Sequence, residues 1–278
     1  LIEPHMLQAR EALSLAAREG MTSSHWDDAQ RFATTARMLS PRSPQPPLVL
    51  GEIALAQGNL NRATEWLELA LTLDEDENTA RTGLARVAMA RRDHDTAERL
   101  FREAAARQPQ DWKVWSHLGW LLTETTQFDE AEVILKRSAA LAGSTEPGPH
   151  MLLAALYLAW DRPTTALVHA ERSVQLARQA PDLRAEAHFL RGRAFFALDE
   201  LREAELDFQQ AVFADSRHTA ARGEIGHVRA LQGDLPAAIE SYRQVLAIDP
   251  GNAAARENLG RLDAQLLRAE LGADGTPP

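Results

Sequence analysis

Alanine returns along this chain at a near-constant interval, and few folds accommodate such a pattern. Ala29, Ala63, Ala97 and Ala131 stand 34 residues apart, Ala166 follows after 35, Ala204 after 38 and Ala238 after 34. Seven residues past each anchor comes a second small residue: Ala36, Ala70, Ala104, Ser138, Ser173 and Ala211, with Val245 the looser seventh. Twelve residues before the later anchors stand Gly51, Ala85, Gly119, Ala154, Gly192 and Gly226. Three before most anchors is a bulky residue (Trp26, Leu60, Phe128, Leu201, Leu235), with His94 and Pro163 departing from the rule. Helix stoppers follow several units, at Pro41, Pro109, Gly143 and Pro250. Small residues in such a register mark places where two helices cross closely and a larger side chain would push them apart. The bulky positions fill the space between, and the stoppers end one helix before the next turn. Each unit is then a helix-turn-helix that cannot bury its own apolar stripe and has to stack on its neighbours.

The stretch "WSHLGWLLTETTQFDEAEVILKRSAALAG" from Trp115 carries the pattern most fully, with Trp115, Leu118 and Gly119 in a first helix and Phe128 and Ala131 in a second. "GDLPAAIESYRQVLAIDPGN" repeats the second half with Ala238, Tyr242 and Pro250. These residues resemble the tetratricopeptide repeat, a 34-residue unit with W-x2-L-G-x2-Y, then A-x3-F, then P. The resemblance runs over about residues 5 to 250. It implies an all-α, right-handed α-solenoid superhelix of about seven units, at 5–43, 44–77, 78–111, 112–145, 147–181, 185–218 and 219–252. "NAAARENLGRLDAQLLRAELG" then reads as an amphipathic capping helix over 253–271, with Leu259, Leu262, Leu266 and Leu267 at helical spacing. Residues 272–278, ending "ADGTPP", are expected to be disordered. Two insertions break the period. "GSTEPGPH" lengthens the turn at 143–150, and "QLARQAPDLRAEAH" is expected to add a turn to the second helix of the fifth unit, stopping before Pro181.

Composition narrows function more by exclusion. The net charge of −10 opposes general binding to phosphate backbones. No cysteine is present, so disulfides, thiol nucleophiles and cysteine-based metal sites are ruled out. No run reaches the roughly 18–20 apolar residues of a membrane span. The opening "LIEPHM" lacks an initiator methionine and a signal-peptide pattern, as expected if the native chain is longer. Only Lys113 and Lys136 among 30 basic residues are lysine, an association with GC-rich bacterial genomes.

Catalytic motifs are missing. There is no phosphate-binding glycine loop, no H-E-x-x-H and no G-x-S-x-G. His25 beside Asp27 and Asp28 could suggest a metal, but carboxylates there suit a helix start, where free N–H groups need partners. "LDEDEN" at 73–78 reads as a charged inter-repeat turn without calcium-loop spacing. The segment is therefore expected to be non-catalytic, with no cofactor and no metal.

In tetratricopeptide proteins the first helix of each unit lines a concave groove, and the resemblance implies that positions two, five, nine and twelve face it. Those positions give Leu48, Glu52 and Leu55; Thr82, Arg86 and Met89; Lys113, Ser116, Trp120 and Thr123; Met151, Ala155 and Leu158; Glu186, Phe189, Arg193 and Phe196; and Gly223, His227 and Ala230. None is asparagine, so neither the carboxylate clamp of chaperone-binding members nor an asparagine ladder as in O-GlcNAc transferase is expected. The candidate partner-binding strip is Met89, Trp120, Met151, Leu158, Phe189 and Phe196, flanked by Arg86, Lys113 and Arg193. Adaptable methionines and aromatic anchors suit an amphipathic helix or extended peptide. Trp120 is read as groove anchor or inter-repeat packing, Trp115 as packing.

The leading expectation is a protein- or peptide-binding scaffold without nucleic acid and without a membrane span. By family analogy it belongs to a bacterial envelope assembly for polysaccharide export, pilus formation or secretion, in the periplasm or envelope, the cytoplasm being the other compartment left open. Two alternatives stand beside it: the recruitment domain of a larger enzyme such as a glycosyltransferase, and a self-assembling scaffold.

Overall fold

The computed structural model describes residues 2–19 and 24–273, with side chains for all of these except 17–19 and 269–273. The chain divides into two compact units, Leu1–Leu141 and Ala142–Pro278. The described residues form fifteen α-helices and no strand. In the first unit, α1 (Glu3–Glu19) pairs with α2 (His25–Leu39), α3 (Gln45–Ala56) with α4 (Leu60–Leu73), and α5 (Asn78–Ala90) with α6 (His94–Arg107). The remaining pair is α7 (Trp112–Glu124) and α8 (Phe128–Ala142). In the second unit the pairs are α9 (Gly148–Ala159) with α10 (Pro163–Ala177), α11 (Pro181–Ala197) with α12 (Leu201–Ala214), and α13 (Thr219–Leu231) with α14 (Leu235–Ile248). The last helix, α15 (Ala253–Ala273), covers α14. Within each unit the second helix of a pair also touches the next first helix, and first helices meet directly, α1 with α3, α3 with α5 and α9 with α11. This is the all-α helical-repeat solenoid class expected from the alanine register.

The register has a direct physical counterpart. All seven anchors, Ala29 through Ala238, are fully buried. So are Ala36, Ala70, Ala104, Ser138, Ser173 and Ala211, and Val245 is nearly so. The glycines twelve before the anchors show why a side chain is refused there. A Cβ on Gly119 would stand 2.5 Å from Leu135 Cγ, and one on Gly192 would stand 2.7 Å from two ring atoms of Phe208. Leu135 and Phe208 are fully buried and cannot retreat without opening the hairpin. Where serine replaces alanine in the second small position, its hydroxyl is satisfied locally. Ser138 Oγ donates to the Trp112 carbonyl at 2.8 Å and lies 2.8 Å from Ser116 Oγ, and Ser173 Oγ donates to the Ala170 carbonyl at 2.7 Å. A buried hydroxyl without such a partner would cost about 1–3 kcal/mol.

Helix starts follow the capping rules. Asn59, Asp93, Asp111 and Asp234 each accept an amide hydrogen bond from the first turn of the helix that follows. Glu77 does the same for α5, which makes "LDEDEN" the inter-repeat turn expected. Asp27 and Asp28 lie inside the first turn of α2, whose cap residue Ser24 makes no side-chain cap bond; Asp28 instead accepts from Arg31 at 2.8 Å. Their contribution is to the helix dipole and not a cap. The loop "GMTSSH" falls largely on residues 20–23, outside the described ones.

One expectation about the insertions is corrected. The extra residues near 175–188 do not lengthen the fifth unit's second helix, because α10 ends at Ala177. They lengthen the sixth unit's first helix, so α11 begins at Pro181 and runs 17 residues where α5, α7 and α13 run 13. Proline lacks only an N–H that a first helical turn leaves unpaired anyway, so it opens a helix as readily as it closes one. Of the 143–150 insertion, residues 143–147 fall between α8 and α9, and the last three open α9. Of the α15 leucines, Leu262 is buried and Leu259 packs with it against Tyr242 and Val245, whereas Leu267 is exposed. The helix runs to Ala273, two residues past its expected end, and the expected tail beyond it lies outside the described residues.

A second recurrent position escaped the sequence reading. Five residues before the last six anchors, the turn inside each hairpin takes positive φ: Gly58 (72°), Arg92 (61°), Thr126 (60°), Asp161 (56°), Asp199 (63°) and Gly233 (84°). A left-handed residue closes the helix C-terminus and turns the chain back. Only Gly58 and Gly233 advertised it, because the other four units use side chains that tolerate the conformation at a cost.

Candidate partner-binding face

In the first unit, Arg86 and Met89 on α5 and Trp120 on α7 are brought together around one open cavity of about 510 Å3. Leu55 of α3 and Ala90 add apolar wall, and Arg92, His94 and Glu124 close the side toward the hairpin turns. Trp120 is 43% exposed, a large value for tryptophan inside a packed helical array. Trp115, five residues earlier, is partly buried. It packs on Ala104, Ala105 and Val114, donates from Nε1 to the Pro109 carbonyl at 3.0 Å and carries the Arg137 guanidinium 3.9 Å from its ring centroid. The two tryptophans thus occupy different environments, one rooted in the helix packing and one facing open space.

The electrostatics of this face centre on Arg86. It forms no ion pair among the described residues, and neither does Arg92. Burial pushes the Glu52 carboxyl of α3 above its usual range against the opposing pull of Arg86 and Arg10. His117 of α7, stacked on Phe101 at 5.7 Å, is held down to about 4, by burial first and by Arg86 second, so it is neutral near pH 7. His94 Nδ1 is buried at the cavity wall without a hydrogen-bond partner. Lys113 is exposed and lies over its neighbour Trp112 at 5.8 Å. Two inner positions do not open to solvent: Leu48 is core, and Ser116 is buried against Ser138.

In the second unit the candidates are engaged with neighbouring side chains. Met151 of α9 is only 8% exposed, and Leu158 is partly buried. Phe189 of α11 contacts the rings of Phe208 (5.9 Å) and His218 (4.9 Å), and Arg193 lies 6.0 Å over Phe189. Phe196 stacks at a tilt on His227, 5.0 Å away. A second open cavity, of about 450 Å3, lies among α13, α14 and α15, and Gly223, His227 and Asn258 contribute to its wall.

The sequence reading missed the most strongly bonded polar group. Asp207 of α12 is 3% exposed and accepts from Arg191 Nε (2.6 Å), Arg191 Nη2 (2.7 Å) and His188 Nδ1 (2.8 Å). Burial alone would raise its carboxyl, but these bonds outweigh it and hold the group below the usual carboxylate range. Asp207 is three past an anchor, where other units carry Phe32, Trp66, Ile134 and Ser241, so no periodic signal pointed to it. Among the described residues no group of three or more His, Asp or Glu is arranged to hold a metal, and no helix is long and apolar enough to cross a membrane.

Comparison with known proteins fits this geometry. Sequence profiles described as "Tetratricopeptide repeat" match residues 48–77, 88–156, 189–253 and 224–274. The human protein O-mannosyl-transferase TMTC1 is 25% identical over 218 residues, which is 77% of this chain and 24% of TMTC1. The chain therefore spans about a quarter of that curated relative. Among solved structures, human IFIT1, as a dimer with m7Gppp-AAAA, superposes with a TM-score of 0.78 at 16% identity, over 98% of this chain and 65% of IFIT1. PilF of Pseudomonas aeruginosa superposes with a TM-score of 0.62 at 19% identity, over 78% of this chain and 97% of PilF. At these identities the two structures share the fold alone.

Proposed function

The chain belongs to the tetratricopeptide repeat family, and from that premise we propose that it is a non-catalytic scaffold that binds a protein or peptide on the inner face of its first helices. The observation that carries this reading is the exposure of Trp120 beside Met89 and Arg86 over an open cavity. Aromatic residues in partly desolvated pockets dominate interface energies, at about 2 kcal/mol or more on truncation. Trp120→Ala should weaken partner binding about 30-fold or more, since 1.4 kcal/mol is a factor of ten. It should lower stability less than Trp115→Ala, which removes the same side chain from helix packing. Equal unfolding by both variants, or full partner affinity in Trp120→Ala, would place the binding surface elsewhere. Affinity capture with mass spectrometry supplies the partner for this measurement. The net charge of −10 favours protein over nucleic acid as partner, and salt-insensitive capture of RNA or DNA would count against it.

The likeness to PilF in fold is compatible with a bacterial envelope assembly, which fractionation of the native protein would test. A second reading has its own support. The relation to TMTC1, named as a transferase and four times the length of the shared segment, favours these repeats as the recruitment part of a larger enzyme. Intact-mass measurement of the native protein decides between a free scaffold and a segment joined to a catalytic domain. Self-association, the remaining alternative, predicts a concentration-dependent mass by light scattering.

A further inference from the structure

We infer that the Trp120 cavity selects an acidic segment of a partner protein, one that inserts a bulky apolar side chain and sets side-chain carboxylates against Arg86, Arg92 and His94. The inference rests on the reading of this face as the binding site and adds the chemistry of its occupant. Three observations converge on it. The floor of the cavity is apolar and adaptable, made by Leu55, Met89 and Trp120. Its polar rim carries two guanidinium groups and an imidazole against one carboxylate, Glu124, in a protein whose net charge is −10. The two guanidinium groups make no direct ion pair among the described residues, Arg86 meeting only the longer-range field of the buried Glu52, and His94 Nδ1 is buried with no hydrogen-bond partner. A buried polar atom left unpaired costs free energy, and a ligand group that reaches it recovers that cost on binding. A locally basic rim attracts an acidic partner that the rest of this acidic chain repels, which fixes orientation as well as charge.

The carboxylates in question are side chains and not a chain terminus. No asparagine lines this cavity, and its guanidinium groups come from two places, the inner face of α5 and the turn that follows it, so they can meet acids on either side of an inserted apolar residue. Arginine suits this task because its planar fork meets a carboxylate with two donors. The neutral His117 beside Arg86 leaves the positive charge at the rim instead of spreading it into the packed interior.

The test uses a randomised peptide library with one fixed central Phe or Leu, passed over the immobilised full chain, with bound sequences read by mass spectrometry. The expected result is enrichment of Asp and Glu over Lys and Arg at the flanking positions. An acidic peptide from the enriched set should bind the wild type about three- to tenfold more tightly than the Arg86→Gln/Arg92→Gln double variant, the range for two solvent-accessible charge pairs. The difference should shrink as salt is raised. His94→Phe should reduce the acidic preference while the requirement for Phe or Leu stays. Circular dichroism melting confirms that the variants, all at the rim, remain folded. Enrichment of Lys and Arg, or no charge preference with Trp120 still required, overturns the acidic class and leaves the binding face standing. No retention of any class, or retention unaffected by Trp120→Ala, overturns both.

Discussion

The two units use the same helical register, but the polar groups around their candidate binding residues are paired differently. In the second, Arg191 and His188 close on the buried Asp207, His218 Nε2 lies 3.5 Å from Glu186, and His227 lies 3.5 Å from Glu224 while covering Phe196. In the first, Arg86 and Arg92 stand without ion pairs around a half-exposed tryptophan, and His117 is partly buried and neutral. Internal pairing fixes side chains in place and lowers what they can offer a partner. Unpaired cations around an adaptable apolar floor do the reverse. One repeat architecture thus holds a candidate strip closed by its neighbours and an open one, and the difference lies in a few polar residues around those strips, not in the alanine framework that both share.

The strongest way to break this contrast is to remove the anchor of the paired side. Asp207→Ala strips Arg191 and His188 of their acceptor inside α11 and α12, and breaking a buried pair this way costs about 3 kcal/mol, the low end of the usual range because Arg191 is partly exposed. Urea denaturation should show that loss, and an unchanged midpoint would mean that the pair contributes nothing net.

Titration separates the units next. His117 has its proton affinity lowered from the ordinary 6.5 to about 4, so between those values the unfolded chain takes up a proton that the folded chain refuses. Stability is then fully present above pH 6.5 and falls by about 2–3 kcal/mol as pH drops toward 4. His117→Gln should flatten that limb. Asp207, held below the usual carboxylate range, contributes stability above its ordinary value and loses it only as pH falls through its lowered one. Its limb therefore lies at more acid pH and should survive in His117→Gln. A pH profile indifferent to His117 would show that its burial in solution is less complete.

Much of the framework was legible in sequence because close helix crossings admit only small residues. Ala131→Leu forces a branched side chain into a site with no exposure and should destabilise by about 2 kcal/mol in thermal melts. The site was half legible. Arg86, Met89 and Trp120 emerge from register alone, since inner positions follow from the repeat. Met151 was misread because not every inner position is open: it shares its register place with Leu48 and Ser116, all three of them buried, whereas Arg86 and Trp120 share a later place that stays exposed. His94 and Arg92 were invisible as rim residues, since they lie at a turn and a helix start outside the inner positions. Pro181 misled for a different reason: its ring restricts the residue before it and suits the first helical turn equally.

The smallest expected effect tests the turns that close each hairpin. Thr126 in the first unit and Asp199 in the second hold nearly the same positive φ, 60° and 63°, at equivalent positions. A β-branched residue suits the left-handed region poorly, whereas aspartate tolerates it better. Relief of that strain favours glycine by about 1–2 kcal/mol, and the larger backbone entropy of glycine in the unfolded chain takes back about 0.5–1. Thr126 is exposed, and its backbone N–H bonds to the Thr123 carbonyl at 3.0 Å, a bond that glycine keeps. Thr126→Gly should therefore stabilise by about 0.5–1 kcal/mol, and Asp199→Gly by less. Differential scanning calorimetry of the two variants gives the comparison. Destabilisation by Thr126→Gly would show that this turn carries no strain, and an equal gain at both sites would show that the side chain's branching does not set it.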